Sequence, residues 1–322
     1  MPFMRGAAIR KVGFVLRGKR EKNSTLWQGW RMNWPVYRTV LLAIPLLSSC
    51  VTAKSAQQQP GQEHTVVARL EGSTDAAGSA EVMVRSGHQS AAATLGNPLE
   101  IQKQIAILVD AGPSQVSVLS REKDLAESSV KALSAPGTSF VIGKIGLSGR
   151  LGERAVDEDV AINSIHEIAG ETGKRTDVPI YDLVVSAIQK LSEAPGIRVV
   201  IFIGGGKDSG SRSNYENVRN LAQGRHVTVL TLLLADRSHR GPKSMLSHGW
   251  LMRELADETA GIFLENPKSP KALRRVTESV PALRLVSFRM DFKEGGRHKI
   301  RVRSKGDLHL RVQKALFLEK QN

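Results

Sequence analysis

The sequence predicts an α/β fold: a doubly wound, mainly parallel sheet with helices on both faces, plus a C-terminal antiparallel β-extension. Three observations predict it. Apolar runs rich in β-formers at Ile105–Val109, Val199–Ile203 and Val227–Leu234 show no alternation, as strands buried on both faces require. Segments with helical periodicity separate them, the pattern of a parallel sheet with crossover helices. After Pro281 the apolar period shortens to two, the period of a half-buried strand.

The elements follow in chain order. Residues 1–49 carry nine Lys/Arg against one acid, Glu21, so more than half of the +15 net charge of this 322-residue chain sits there. The remaining body is mildly basic. With aromatics at 5% of the chain, no nucleic-acid partner is expected. "VYRTVLLAIPLLSSC" places Arg38 before an apolar run from Val40 to Leu47, then small residues before Cys50. The run is shorter than the roughly 20 residues that span a bilayer and fits the apolar region of a secretory signal. Leu47-Ser48-Ser49-Cys50 also resembles a bacterial lipoprotein cleavage site, which makes Cys50, the only cysteine, the expected lipidation residue. The alternatives are a signal cut a few residues later and a single-pass anchor with a basic tail. A true start at Met32 would give a signal of ordinary length.

Residues 50–62 are small and polar and read as a tether. Within 63–100, "HTVVARL" and "AEVMVR" flank a Gly/Ser/Ala turn and suggest a hairpin, while "SGHQSAAATLGNP" reads as loop. Residues 101–281 form the α/β domain. Its helices are expected at about 115–133, 157–169, 180–191, 213–223, 247–260 and 268–280, with a further strand at 139–145. In 282–322, Val286, Phe288, Met290 and Phe292 share one face of a strand. Ile300 and Val302, then Leu308, Leu310 and Val312, alternate after it. This spacing predicts a three-strand antiparallel meander.

Open parallel sheets bind ligands beyond the carboxyl ends of their strands. Three loops fall there: "DAGPS" (110–114), "TDVPIYD" (176–182) and "GGGKDSGS" (204–211). Together with "IAILVDAGPS", "PIYDLVVSAIQKL", "RVVIFIGGGKDSGSR", "LMRELADETAGIFLENP" and "HKIRVRSKGDLHLRV", taken in order, the chain from about Ile101 to Leu318 resembles the von Willebrand factor A-type domain of bacterial secreted or envelope proteins.

The resemblance implies a non-enzymatic protein-interaction or adhesion module. In many members it also implies a Mg²⁺ site, built from an Asp-x-Ser-x-Ser loop, a Thr before the central helix and an Asp after the fourth strand. Such oxygen donors suit a hard cation. Here Asp110 matches the first Asp and Ser114 the second Ser. The other positions hold Gly112, Val178 and Gly205, none with an oxygen-bearing side chain. Thr176 and Asp208 lie close in sequence and could rescue a weak site, while Lys207 would repel a cation. The expectation is therefore no cofactor and a degenerate metal-ion-dependent adhesion site, with Asp110 capping the next helix or holding its turn. Weak Mg²⁺-dependent ligand binding through Asp110 and Ser114 is the alternative.

Two other chemistries are weighed on the residues alone. A further alternative is a nucleotide- or phosphate-binding α/β protein, whose 204–211 loop would cradle phosphate through backbone amides, although the loop lacks the G-x-x-x-x-G-K-[ST] spacing. No G-x-S-x-G elbow and no C-x-x-C or H-x-x-x-H pair is present, so neither a serine hydrolase nor a zinc site is expected. The basic loop 235–250, which includes Trp250, is a candidate for partner contact. The expected protein is a non-enzymatic module with a protein partner, held at a membrane by its signal or lipid anchor, in the cell envelope or secreted from it.

Overall fold

The computed structural model describes residues 61–71, 81–97, 101–173, 177–234, 244–267, 270–305 and 308–319. Cys50, the signal-like segment and the tether up to residue 60 lie outside them, as do Thr176 and residues 235–243. Three strands come first: β1 (Glu63–Glu71), β2 (Val82–Ser86) and β3 (Gln89–Leu95). The α/β portion runs through β4 (Lys103–Asp110), α1 (Leu119–Leu133), β5 (Thr138–Ile145), β6 (Arg150–Ala155), α2 (Glu158–His166) and α3 (Ile180–Ser192). It continues with β7 (Ile197–Gly204), α4 (Tyr215–Gly224), β8 (Val227–Leu233), α5 (Ser244–Glu258), β9 (Phe263–Glu265) and α6 (Pro270–Ser279). Five strands close the chain: β10 (Leu283–Arg289), β11 (Gly296–Lys299), β12 (Arg301–Ser304), β13 (His309–Val312) and β14 (Ala315–Leu318).

The central sheet has the order β6-β5-β4-β7-β8-β9 and is parallel except for the β5–β6 pair. It is doubly wound, as the sequence predicts. Alternate residues of β4 serve opposite faces. Ile105, Ile107 and Val109 join a core with Leu119 and Val130 of α1, Ile162 and Ile165 of α2, and Val276 of α6. Ala106 and Leu108 join the other core, with Val184 and Ile188 of α3, Val218 of α4 and Leu255 of α5. Burial on both faces is the reason these strands read as unbroken apolar runs. Each fully buried aliphatic or aromatic side chain, Phe202 and Ile188 among them, contributes about 1.5–3 kcal/mol of transfer free energy.

β6 is an antiparallel edge strand that no apolar period announces, since four of the six residues of "RLGERA" are polar or glycine. The chain starts in the middle of the sheet, builds β5 and β6 on one side, then crosses to β7, β8 and β9 on the other. β4 and β7 are therefore the neighbours at which the winding reverses. Asp110 ends β4, and Gly204 ends β7.

The remaining strands differ from the sequence reading. The expected hairpin of "HTVVARL" with "AEVMVR" does not form: β1 pairs with β10 and β13, and β2 pairs with β3 and β12. The segment read as loop after β2 is strand β3, joined to β2 by a two-residue turn at Gly87 and His88. Nor do the C-terminal strands form a meander of their own. They interleave with the N-terminal ones in a sheet of order β12-β2-β3-β10-β1-β13, and β11 pairs with β14. The predicted inner face is right, because Val286, Phe288, Met290 and Ile300 are buried together. Their partners are Val66, Ala68, Val82 and Val84 from the start of the described chain, a distant pairing that local periodicity cannot show.

Candidate functional site

The site candidate is the crevice where β4 and β7 end. Asp110 is 4% exposed. Its Oδ1 accepts from the backbone N–H of Gly112 at 3.1 Å, and its Oδ2 from that of Gly205 at 3.3 Å. Asp110 therefore holds the turn after β4 and ties it to the end of β7. It does not cap α1, whose N-cap position is held by Val118 with no side-chain cap. Burial pushes the Asp110 carboxyl up to about 6, against the two amide donors, and the charge of Glu171 adds to the rise.

The positions without oxygen donors are filled by other side chains. A Cβ on Gly112 would stand 2.8 Å from Cγ2 of Val178, which is itself 4% exposed. The valine methyl thus occupies the space that a serine at 112 would need. A Cβ on Gly205 would stand 2.1 Å from the terminal amide of Gln115. That amide, oriented to satisfy both its ends, donates to Glu122 Oε1 at 3.1 Å and to the carbonyl of Leu234 at 3.2 Å. Glu122 is fully buried on the inner face of α1, and its Oε2 has no hydrogen-bond partner. Burial, with the Asp110 charge, holds the Glu122 carboxyl well above the usual range.

Glu171 stands near Asp110. Its backbone N–H donates to Ala111 O at 2.9 Å. Its carboxylate accepts from Lys144 at 2.8 Å, from Ser148 at 3.0 Å and from the Leu147 amide. Burial works against ionisation here, but these donors outweigh it and its pKa is lowered.

The 204–211 loop closes onto the start of α3. Pro179 precedes that helix without a side-chain cap. Asp208 supplies one from a distance: its Oδ1 accepts from the Tyr181 N–H at 3.0 Å and from Ser211 Oγ at 2.5 Å. Ser209 Oγ accepts from the Val178 N–H at 3.0 Å. In return, Asp182 accepts from the amides of Ser213 and Arg212 at 2.8 and 2.9 Å. The two segments are thus latched reciprocally, in the manner of a capping box drawn from two loops. Replacing Asp208 with alanine is expected to cost about 1–2 kcal/mol of stability, the value of an N-cap. Urea unfolding checks this, and Asp208→Asn, which keeps an acceptor, should recover most of the loss.

The crevice thus brings together Asp110, Gly112, Val178 and Gly205, whereas Asp208 is engaged at the helix and Ser114 points to solvent. Among the described residues this leaves, as cation donors, one carboxylate, with both oxygens already accepting amides, and one exposed hydroxyl. A Mg²⁺ shell, octahedral and oxygen-rich, does not fit that set. Among the described residues no group of three or more His, Cys, Asp or Glu is placed to hold a metal. Sequence reasoning missed Gln115 and Glu122. The helical period holds a signal for the latter: Glu122 falls on the stripe of Leu119, Ala126, Val130 and Leu133, where a carboxylate is out of place.

No family model matches the sequence, and no curated protein does. Solved structures do. The conserved hypothetical protein BatB from Bacteroides thetaiotaomicron is 17% identical, with 56% of this chain aligned to 97% of that one at a TM-score of 0.44. An aerotolerance-related membrane protein from Bacteroides fragilis is 15% identical, over 56% and 98% of the two chains, at 0.43. A von Willebrand factor type A protein from Catenulispora acidiphila is 12% identical, over 82% and 75%, at 0.45. A doubly wound, mainly parallel sheet with helices on both faces is what the sequence resemblance leads one to expect: the central sheet and its helices form a von Willebrand factor A-type fold.

Proposed function

We propose that this chain is a non-enzymatic protein-binding module of the bacterial cell envelope that grips its partner with the strand-end edge and needs no bridging cation. The observation that carries this reading is the conversion of the donor positions into internal contacts: Val178 packs into Gly112 and Gln115 into Gly205. What remains outward at this edge is suited to a protein surface. Val116, in the loop after β4, is 43% exposed, and Trp250, in the helix that follows β8, is 57% exposed. Aromatic side chains of this kind are common anchors of interfaces. The 204–211 loop spends the Gly205 amide on Asp110, the Ser209 amide on the Val178 carbonyl, and the side chains of Asp208, Ser209 and Ser211 on amides at the start of α3, which weighs against its use as a phosphate cradle.

Envelope attachment rests on the Cys50 context and the apolar run before it. Among the described residues no helix is long and apolar enough to cross a membrane, and the attachment segment lies outside them. The proposed partner is a protein, with the lipid anchor supplying membrane contact.

Calorimetry with Mg²⁺ and Mn²⁺ tests the cation. No heat of specific binding is expected at millimolar metal. Tight binding that vanishes in Asp110→Ala would instead establish the metal-dependent alternative. For the partner, capture from a membrane extract should be indifferent to chelator and should fall at least tenfold in Trp250→Ala with Val116→Asp.

A further inference from the structure

At the opposite edge of the central sheet, where its strands begin, the antiparallel sheet meets the ends of α4 and α5 around a cleft of about 810 Å³. Six cationic side chains line it: Arg85, Arg219, Arg297, Lys299, Arg301 and Lys314. Among the described residues Glu258 is its only acidic lining residue. That carboxylate is 8% exposed and already committed, accepting from Arg297 and from Gln223 (2.9 Å) and lying 3.7 Å from Lys314. Arg219 has Glu216 at 3.5 Å and stacks over Tyr215. Among the described residues, no carboxylate pairs with Arg85, Lys299 or Arg301.

The placement of these three is costly and fixed. Arg85 and Arg301 are directly opposite each other in the β2–β12 ladder, and like charges at opposed sheet positions destabilise the pair. Both are exposed on the same face. Arg85 Nε donates to Gly87 O at 3.2 Å. Ser86 Oγ donates to Lys299 O at 2.9 Å, which holds the β2–β3 turn against the point where the chain passes from β11 to β12. Ile300, 5% exposed, anchors that junction in the core between the two cations. The cluster is therefore held together by local bonds although its charges repel. An anion with several charged oxygens, placed between the two guanidinium forks, would remove the repulsion and accept paired N–H bonds from each.

We propose that this cleft binds a phosphate-bearing ligand with at least two anionic groups, through Arg85, Lys299 and Arg301. The volume suits a compact ligand rather than a long polymer. Two sources share this chemistry, a short soluble oligophosphate and the headgroups of anionic phospholipids. The site is remote from the strand-end edge and independent of the reading proposed for it.

The test uses the full chain. Tripolyphosphate is titrated by calorimetry, and vesicles of phosphatidylglycerol with phosphatidylcholine are compared with phosphatidylcholine alone. The expected result is binding to at least one anionic probe, weakened at least tenfold in Arg85→Gln with Arg301→Gln. The thermal midpoint of that double variant should stay level or rise, since a like-charge pair has been removed. Binding to tripolyphosphate identifies a soluble ligand, and binding to the anionic vesicles alone identifies a headgroup. The proposal is overturned if neither probe binds, or if Arg150→Gln with Lys131→Gln, the same charge change elsewhere, weakens binding equally. Hexaglutamate binding as tightly as tripolyphosphate would also overturn it, as would a fall of several degrees in the double variant's midpoint, which would make the arginines structural.

Discussion

Gly204→Ala is expected to destabilise the fold by about 3 kcal/mol, the upper end of the range for overpacking. A Cβ at this position would stand 2.2 Å from the Cβ of Asp110 and 3.1 Å from its Oδ2. The obstructing atom is one bond from the β4 backbone, so no rotamer change relieves the clash. Either β4 and β7 part at their ends or Asp110 leaves the crevice. Both routes break the bond from Gly205 N–H to Asp110 and expose the inner strands. At Gly205 the obstructing atoms belong to the far end of the Gln115 side chain, which can swing away. Gly205→Ala should therefore cost less, because its damage is limited to the Gln115 hydrogen bonds. Urea unfolding of the two variants side by side checks the order. Equal losses, or a loss under about 0.5 kcal/mol at Gly204, would show that the ends of β4 and β7 are not packed as described.

This crevice also shows how far sequence can be read. The apolar runs of β4, β7 and β8 announced a buried parallel sheet because burial on both faces leaves no room for alternation. The rule that ligand loops follow the carboxyl ends of such strands then placed Asp110 and the 204–211 loop at one edge. What sequence could not supply was the fate of each gap. That Val178 fills the space beside Gly112 depends on a contact across 66 positions, and neither residue carries a local signal. The same holds for the antiparallel sheet. The period-two pattern after Pro281 identified the buried face, but β10 finds β1 some 220 residues away. The β3 segment, Gln89–Leu95, is dominated by Ser and Ala, and its strand identity comes from its neighbours rather than from its own propensity.

Glu122→Gln is expected to stabilise the protein, and by more as the pH rises. Glu122 is fully buried, with one oxygen accepting from Gln115 and the other unpartnered. Its folded-state pKa lies well above the ordinary value because of burial, to which the Asp110 charge adds. In the unfolded chain a glutamate ionises near pH ~4.3. Below that pH both states hold the proton, and acid and amide are nearly equivalent. Above it the unfolded chain releases a proton that the folded state keeps, so folding weakens by up to about 1.4 kcal/mol per pH unit until the folded pKa is reached. Glutamine has no such proton. Its advantage should therefore open above pH ~4.3 and widen with that slope.

The wild-type profile alone would hide this. Asp110, raised to about 6, also loses stability as the pH rises through its own window from about 4. His226 acts in the opposite sense: burial, helped by the charges of Arg198, His64 and Arg225, lowers it to about 4. Its contribution is complete above the unfolded value of about 6.5 and is lost on acidification towards 4. The two largely offset each other over the same range, and the difference between wild type and Glu122→Gln cancels both. Chemical denaturation of the pair at pH 4, 5, 6 and 7 reads that difference directly. A gap that stays constant across the series would mean that Glu122 is solvated in the folded state, and that the Gln115–Glu122 contact behind Gly205 does not exist in solution.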